Sequence, residues 1–201
     1  MTATEISATA QHKNLQKASG SKNPMEKIPE YTSYTATDGT PFSLYCKTKS
    51  DMGDKTLKWC FKLAEKNVGP FYKANSMGWQ PKIKQADLNK NWARYLVACD
   101  KDKNPVAYAM FRFDFDYQQS VLYCYEMQIE KTSQRKGLGK FMMSTLEQCA
   151  KIWEMEKVVL TILKNNPDGK SFFTSIGFQL DDSSPDSFEN KDYEILSKSL
   201  L

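Results

Sequence analysis

Gln134-Arg135-Lys136-Gly137-Leu138-Gly139 follows the strand-like run Val121 to Ile129 and opens an amphipathic helical pattern, and this junction decides how the chain folds. Its two glycines permit a tight turn that brings backbone N–H groups close to a ligand. The first turn of the following helix adds unpaired donors and the positive end of its dipole. Such a junction suits a pyrophosphate. It is not a P-loop, because no Gly-Lys-Ser/Thr follows, and it lacks the third glycine of the dinucleotide fingerprint, which argues against nucleotide hydrolysis and hydride transfer. A plain strand-to-helix turn would read the same on these six residues, so the surroundings must separate the two.

Upstream, Trp92 to Cys99, Val106 to Phe115 and Val121 to Ile129 read as three successive strands joined by short polar turns, an antiparallel meander. Downstream, Leu138, Phe141, Met142, Thr145, Leu146, Cys149, Ile152 and Trp153 recur at helical period and predict a helix packed on the sheet. The β-branched run Lys157 to Leu163 predicts a strand parallel to the one before that helix, by a right-handed crossover. A short helix over Asp168 to Ile176, a strand over Phe178 to Leu180 and a last strand over Tyr193 to Leu196 complete the C-terminal half. Earlier in the chain, Phe42, Leu44 and Cys46 alternate as a first strand. Leu57, Cys60, Phe61, Ala64 and Val68 then predict a helix terminated by Gly69-Pro70, and a polar helical segment follows Pro81. The fold class is α+β: a mixed, mostly antiparallel sheet flanked by helices, with one βαβ unit near its middle.

Residues 1 to 30 are polar, with few large apolar groups, and read as a flexible or partly helical extension; a short helix over Ile6 to Ala18 has the spacing to lie on the domain surface. Residues 31 to 201 read as one domain. A net charge of +4, from 28 basic and 24 acidic residues, is too small to predict direct nucleic-acid binding. No apolar run approaches the ~20 residues that span a bilayer, and no membrane association is expected. Five scattered cysteines without a Cys-x-x-Cys, and no signal-like apolar start, predict a reducing cytoplasmic or nuclear compartment. The single histidine, His12, lies in the polar extension, so a Ser-His-Asp triad, a Cys-His pair and a histidine-rich metal site are all unsupported, and no metal is expected. Cys124 reads as a small buried hydrophobe.

With the glycine turn between a strand and a helix, and with Asn166, Ser171-Phe172-Phe173 and Gly177-Phe178 downstream, the chain resembles the GNAT (Gcn5-related N-acetyltransferase) superfamily over about Pro41 to Leu196. The resemblance implies the acyl-CoA N-acyltransferase fold and acetyl-CoA as cosubstrate. Further segments are similar to the branch that acetylates the N-terminal α-amine of histones beginning Ser-Gly-Arg-Gly, the four and two-A types. They are Phe111-Arg112-Phe113-Asp114, Leu122 to Glu126, Arg135 to Phe141, Asp181 to Pro185 and Tyr193 to Ser197. That likeness implies histone tails as partners and a monomer without an auxiliary subunit. By resemblance, Met127, Gln128, Ile129, Gln134, Arg135, Lys136, Gly137, Leu138, Gly139, Lys140, Thr161 and Asn166 contact acetyl-CoA, Tyr72, Asp114, Tyr125 and Tyr193 contact the peptide, and Glu126 is catalytic. The chain has Met77-Gly78-Trp79 where related enzymes carry Trp-Gly-Trp. Acetylation of lysine side chains or small amines, and non-catalytic acetyl-CoA binding, are the alternative functions.

Acetyl transfer needs an unprotonated amine, a held donor and a place for the developing oxyanion. Glu126 is a candidate base, directly or through water; read alone, it is equally a solvent-facing strand glutamate. Simple alternation puts Tyr123, Tyr125 and Met127 on one face of the strand and Cys124, Glu126 and Gln128 on the other. For Tyr125 and Glu126 both to reach substrate, the strand needs a β-bulge near Tyr125 to Met127. Asp114 and Asp116 share a face and suit two substrate cations, an ammonium and a guanidinium, or else balance Arg112 and nearby lysines. Tyr123, Tyr125 and Tyr193 would wall a narrow mouth, or simply pack. The polar loop Asp181 to Asn190 either closes over the peptide or is an idle connection.

Overall fold

The computed structural model describes the backbone of residues 3–200 and the side chains of 12–200 apart from residue 187. Its strands are β1 (Ser33–Thr35), β2 (Pro41–Thr48), β3 (Arg94–Cys99), β4 (Pro105–Asp116), β5 (Gln119–Ile129), β6 (Lys157–Leu163), β7 (Gln179–Leu180) and β8 (Tyr193–Ser199). Its helices are α1 (Ala3–Gly20), α2 (Asp54–Lys73), α3 (Pro81–Leu88), α4 (Leu138–Ile152) and α5 (Pro167–Ser175). One sheet runs β1-β2-β3-β4-β5-β6-β8-β7. Among the described residues the β5–β6 pairing is parallel and the other pairings are antiparallel, so α4 is the crossover of a single βαβ unit. The chain thus has the mixed, mostly antiparallel α+β sheet that its pattern predicts.

Strand alternation gives the sheet two buried faces. On one, Leu96, Ala98, Ala107, Ala109, Phe111 and Leu122 meet Leu138, Met142, Leu146 and Cys149 of α4 and Leu15 and Ala18 of α1. On the other, Tyr95, Val97, Tyr108 and Met110 meet Leu57, Cys60 and Leu63 of α2 and Leu88 of α3. β3 is buried at all six positions, as a central strand covered on both faces must be.

The flexible reading of residues 1 to 30 gives way to the helical one. α1 occupies Ala3–Gly20, and Leu15, Ala18, Met25 and Ile28 are buried. The buried guanidinium of Arg94 donates to the carbonyls of Ser19, of Ser21 at 2.8 Å and of Trp92 at 3.2 Å, satisfying groups that a helix end leaves without partners. Trp153 Nε1 donates to the Pro24 carbonyl at 2.8 Å. Mean polarity concealed this, because a few correctly spaced apolar groups suffice when a formed surface receives them.

Gly69-Pro70 does not stop α2, which runs through to Lys73. Trp79 packs over Gly69, its ring 3.7 Å from where a Cβ on Gly69 would stand. Packing of the returning chain therefore overrides the local stop signal. β1 was not visible in the sequence; at three residues it is too short to carry a period.

Candidate active site

β4 and β5 pair residue for residue from Asp116–Gln119 to Phe111–Cys124, and then Met110 faces Glu126, so Tyr125 is the extra residue of a β-bulge. The bulge switches the parity of β5. Before it, Leu122 and Cys124 point to the α1–α4 side, while after it Met127 and Ile129 do so. Tyr123, Tyr125 and Glu126 consequently line one cavity, whereas simple alternation would have sent Glu126 to the opposite face. The parallel partner departs at the same point: β5 pairs with β6 only from Val121–Lys157 to Cys124–Leu160. Two parallel strands that separate just where the bulge lies leave a wedge open between their C-terminal ends.

The cavity holds about 250 Å³ and is also lined by Tyr72 of α2, Lys84, Asp87 and Leu88 of α3, Trp92, Met110 and Thr161. Glu126 is no solvent-facing strand glutamate. One of its oxygens accepts from Lys84 Nζ at 2.7 Å and the other from Gln128 Nε2 at 2.5 Å, with the Glu126 side chain 9% and that of Lys84 15% exposed. Burial works against the Lys84 charge, but Glu126, Tyr72 and Asp87 outweigh it and hold the ammonium above the usual lysine range. Lys84 Nζ also lies 5.2 Å over the Tyr72 ring. Burial pushes the Tyr123 phenol up to about 12 although its bond to Thr161, 2.6 Å, works the other way, and burial likewise raises Tyr125. Both phenols therefore remain donors. Cys124 is buried, and its thiol is pushed up to about 12, so it supplies no thiolate.

At the other end of the wedge lies the glycine turn. Arg135 and Gly137 take left-handed backbone, φ 60° and 78°. Gly137 precedes α4 with no side chain capping the helix, which leaves its first N–H groups without a side-chain partner. A Cβ on Gly137 would stand 2.2 Å from the Tyr34 hydroxyl, and one on Gly139 3.1 Å from Ile129. The turn is anchored from outside: Tyr34 donates to the Lys136 carbonyl at 2.9 Å, and Gln134 Nε2 to the Ile129 carbonyl at 3.0 Å. Lys136 Nζ bonds Asp38 at 2.5 Å and Thr40 at 2.9 Å, so this cation is engaged by the β1–β2 turn. Gln134, Arg135 and Lys140 are exposed, Leu138 buried.

Not every residue singled out from the sequence reaches the cavity. Asp114 is ion-paired with Arg112, whose guanidinium lies 4.9 Å from the Trp92 ring centre and 5.7 Å from that of Tyr125. Asp116 stands at the β4–β5 turn, its carboxyl raised by burial and then by Asp114. Tyr193 starts β8 opposite Leu163 and lies outside the lining. Thr161 meets Tyr123 within the cavity, and Asn166 caps α5 by accepting from the Gly169 N–H at 3.1 Å. Ser76, in the loop after α2, donates its N–H to Asp192 at 2.8 Å, and Asn165 Nδ2 donates to the Phe71 carbonyl at 2.8 Å. These two contacts tie the α2 end to the chain flanking β6 and β8. The Arg112–Asp114 pair is the alternative that the sequence left open for Asp114 and Asp116, whereas Lys84, Asp87 and Trp92 escaped sequence reasoning; a lone lysine in a polar helix carries no pattern that separates it from a surface charge.

A profile of the Acetyltransferase (GNAT) family matches residues 60–178, more than half of the chain. The chain belongs to the GNAT acetyltransferase family. Solved structures share its fold: a GNAT-family acetyltransferase from Staphylococcus aureus (12% identity, TM-score 0.60, covering 79% of this chain and 100% of that one) and the spermidine N-acetyltransferase of Vibrio cholerae in complex with CoA and spermine (15%, 0.54, 78% and 95%). A ribosomal-protein alanine N-acetyltransferase from Escherichia coli is a third (14%, 0.53, 78% and 94%). This GNAT chain is therefore an acyltransferase using acetyl-CoA. A turn with left-handed backbone and little room for a Cβ at Gly137 or Gly139, leading into helix donors that no side chain caps, suits a pyrophosphate.

Proposed function

We propose that this acetyltransferase modifies the N-terminal α-amine of protein chains, with histones beginning Ser-Gly-Arg-Gly as its substrate class, as its resemblance to N-alpha-acetyltransferase D implies. The observation that carries the reading is the bulge at Tyr125, which turns Glu126 into a cavity walled by Tyr72, Tyr123 and Tyr125. An α-amine has a pKa of about 8 against about 10.4 for lysine, so it loses its proton at neutral pH for about 3 kcal/mol less, and a single carboxylate is enough to assist. The 250 Å³ volume suits one or two small residues.

Residues of the glycine turn, Gln134 to Lys140, would hold the pyrophosphate, with Met127 to Ile129 along the wedge. Bound acetyl-CoA supplies a thioester whose C–S bond breaks as the C–N bond forms, the nitrogen giving up one proton and coenzyme A leaving as the thiol. Glu126 receives the amine and orders its lone pair or a relaying water. Tyr123 and Tyr125, protonated at neutral pH, offer O–H donors to developing negative charge. Asp116, less committed than the Arg112-bound Asp114, would grip the guanidinium of a third-position arginine. Consistent with this substrate class, we place the protein in cytoplasm and nucleus, acting without an auxiliary subunit.

The test is acetyl transfer to peptides that vary at the first three residues, with an N-terminally blocked peptide and a polyamine as controls. Transfer to Ser-Gly-Arg-Gly and none to the blocked peptide is expected. Preferred turnover of the blocked peptide or the polyamine would assign the enzyme to lysine side chains or small amines instead.

A further inference from the structure

A buried ammonium beside the carboxylate of an amine-binding cavity is costly, because it repels the cationic form of the very group that must enter. The cavity nevertheless contains one. Lys84 reaches Glu126 at 2.7 Å from the middle of α3, its Nζ over the Tyr72 ring and its own side chain largely buried. Neither its contact with Glu126 nor its place in the cavity follows from packing alone, since α3 already seats Leu88 in the apolar cluster under it.

We propose that Lys84 sets the charge at the amine-binding end of the cavity: paired with Glu126 it cancels that carboxylate and leaves only the exposed Asp87 uncompensated, so the incoming amine binds and reacts without its proton, which is shed to water. The proposal rests on Glu126 facing the acceptor amine, as the proposed function has it. The charge count around the pair supports this. From α2 come Tyr72 and Cys60, from β3 Tyr95, from β4 Tyr108 and from β5 Cys124. Burial raises Cys60, Tyr95, Tyr108 and Cys124, so all four are neutral at physiological pH. Gln128 is uncharged, and Arg112 and Asp114 cancel one another beside Tyr125. Asp87, exposed on α3, is the remaining acid. Remove Lys84 and an unbalanced Glu126 would hold an ammonium as an ion pair, raising the amine's affinity for its proton.

The experiment is the pH dependence of kcat, at saturating peptide and acetyl-CoA, for the wild-type enzyme, Lys84→Met and Lys84→Arg, since kcat reports groups in the bound complex. For Lys84→Met the acidic limb moves up by about one pH unit, so that activity near pH 6.5 falls about ten-fold relative to that near pH 9. Lys84→Arg keeps the wild-type limb. A Lys84→Met profile of unchanged shape, at whatever height, would mean a merely structural lysine, and a limb displaced equally in Lys84→Arg would also overturn the proposal. Should Lys84→Met fail to fold, peptide binding to the wild type decides. Affinity that rises as the peptide's own amine deprotonates near pH ~8 supports the proposal, and affinity that is flat or falls there overturns it. If the wild type acetylates no α-amine at all, the proposed substrate class fails separately, and the same profiles are taken with whichever amine it does turn over.

Discussion

The hydroxyl of Tyr34 donates to the carbonyl of Lys136 at 2.9 Å, joining residues 102 positions apart and fixing the glycine turn from the edge of the sheet. Tyr34 is itself held, its ring stacked 4.7 Å from that of Phe141 in the first turn of α4. The turn that faces the coenzyme is thus shaped by a strand lying outside the span matched by the family profile.

Tyr34→Phe should weaken coenzyme A binding about five-fold, the worth of one ordinary hydrogen bond of about 1 kcal/mol, and leave the peptide KM unchanged. Gly137→Ala should do more, since a left-handed backbone costs a side chain about 1–2 kcal/mol and its Cβ meets that hydroxyl. Because the phenylalanine ring lacks the clashing oxygen, Gly137→Ala should be milder in the Tyr34→Phe background than alone. Calorimetric titration with coenzyme A reads all three.

Glu126→Gln should lower kcat by about 10²–10⁴ while coenzyme A binding stays within about two-fold of wild type. It also strands the Lys84 ammonium in a buried site, so the melting temperature should fall, by the equivalent of about 3 kcal/mol. Adding Lys84→Met should return much of that stability and none of the turnover. Steady-state kinetics beside thermal melts separate these two effects. A variant that kept full turnover would remove Glu126 from the chemistry.

Asp116→Asn should raise the KM for a Ser-Gly-Arg-Gly peptide about ten-fold and leave a Ser-Gly-Ala-Gly peptide unaffected. Asp114→Asn should discriminate less between the two peptides, because Arg112 already neutralises that carboxylate. Comparing KM across the two peptides for each variant checks the assignment.

Lys157 donates to Asp181 at 2.6 Å, both side chains nearly buried, and Ser183 adds its N–H at 2.9 Å. Burial opposes the charge on Asp181, but the bonds from Lys157 and Ser183 prevail and hold its carboxyl below the ordinary 3.8. A lowered carboxyl stabilises the fold fully above pH 3.8, and this stabilisation drains away as the pH falls from there through the folded value. Asp181→Asn should therefore cost about 3 kcal/mol at neutral pH and a shrinking amount below pH 4. Urea unfolding at pH 7 and at pH 3 measures the difference.

Much of the fold was legible because its signals are local. The stripe from Leu138 to Trp153, the alternation in β2 and the apolar run of β6 each declare a period that only one element satisfies. The bulge was legible for a different reason: the family resemblance sets Tyr125 and Glu126 on one substrate, which they could share only if the ladder broke between them, and it does. What stayed hidden depends on partners far away in sequence. Leu15 and Ala18 have the spacing of a helix face, but nothing local decides between that helix and a flexible tail until the sheet face receives them, and Pro70 looks like a helix stop until Trp79 packs over Gly69. Lys84 became a cavity residue only when α3 was laid across the bulge. For Asp114 the sequence offered both a substrate cation and Arg112, two residues away on the same strand face, and the ion pair takes the second.

Arg94 grips the carbonyls at the end of α1 from the start of β3, near the middle of the sheet. Anyone trimming this chain to residues 60–178, the span that the family profile matches, would discard that helix, β1, β2, β7 and β8, and bare the edges of β3 and β6 together with the apolar face beneath α1. Such a fragment would offer itself to other copies rather than to a ligand, and should be recovered as aggregate. The glycine turn and the cavity would then sit on a sheet stripped of both its borders.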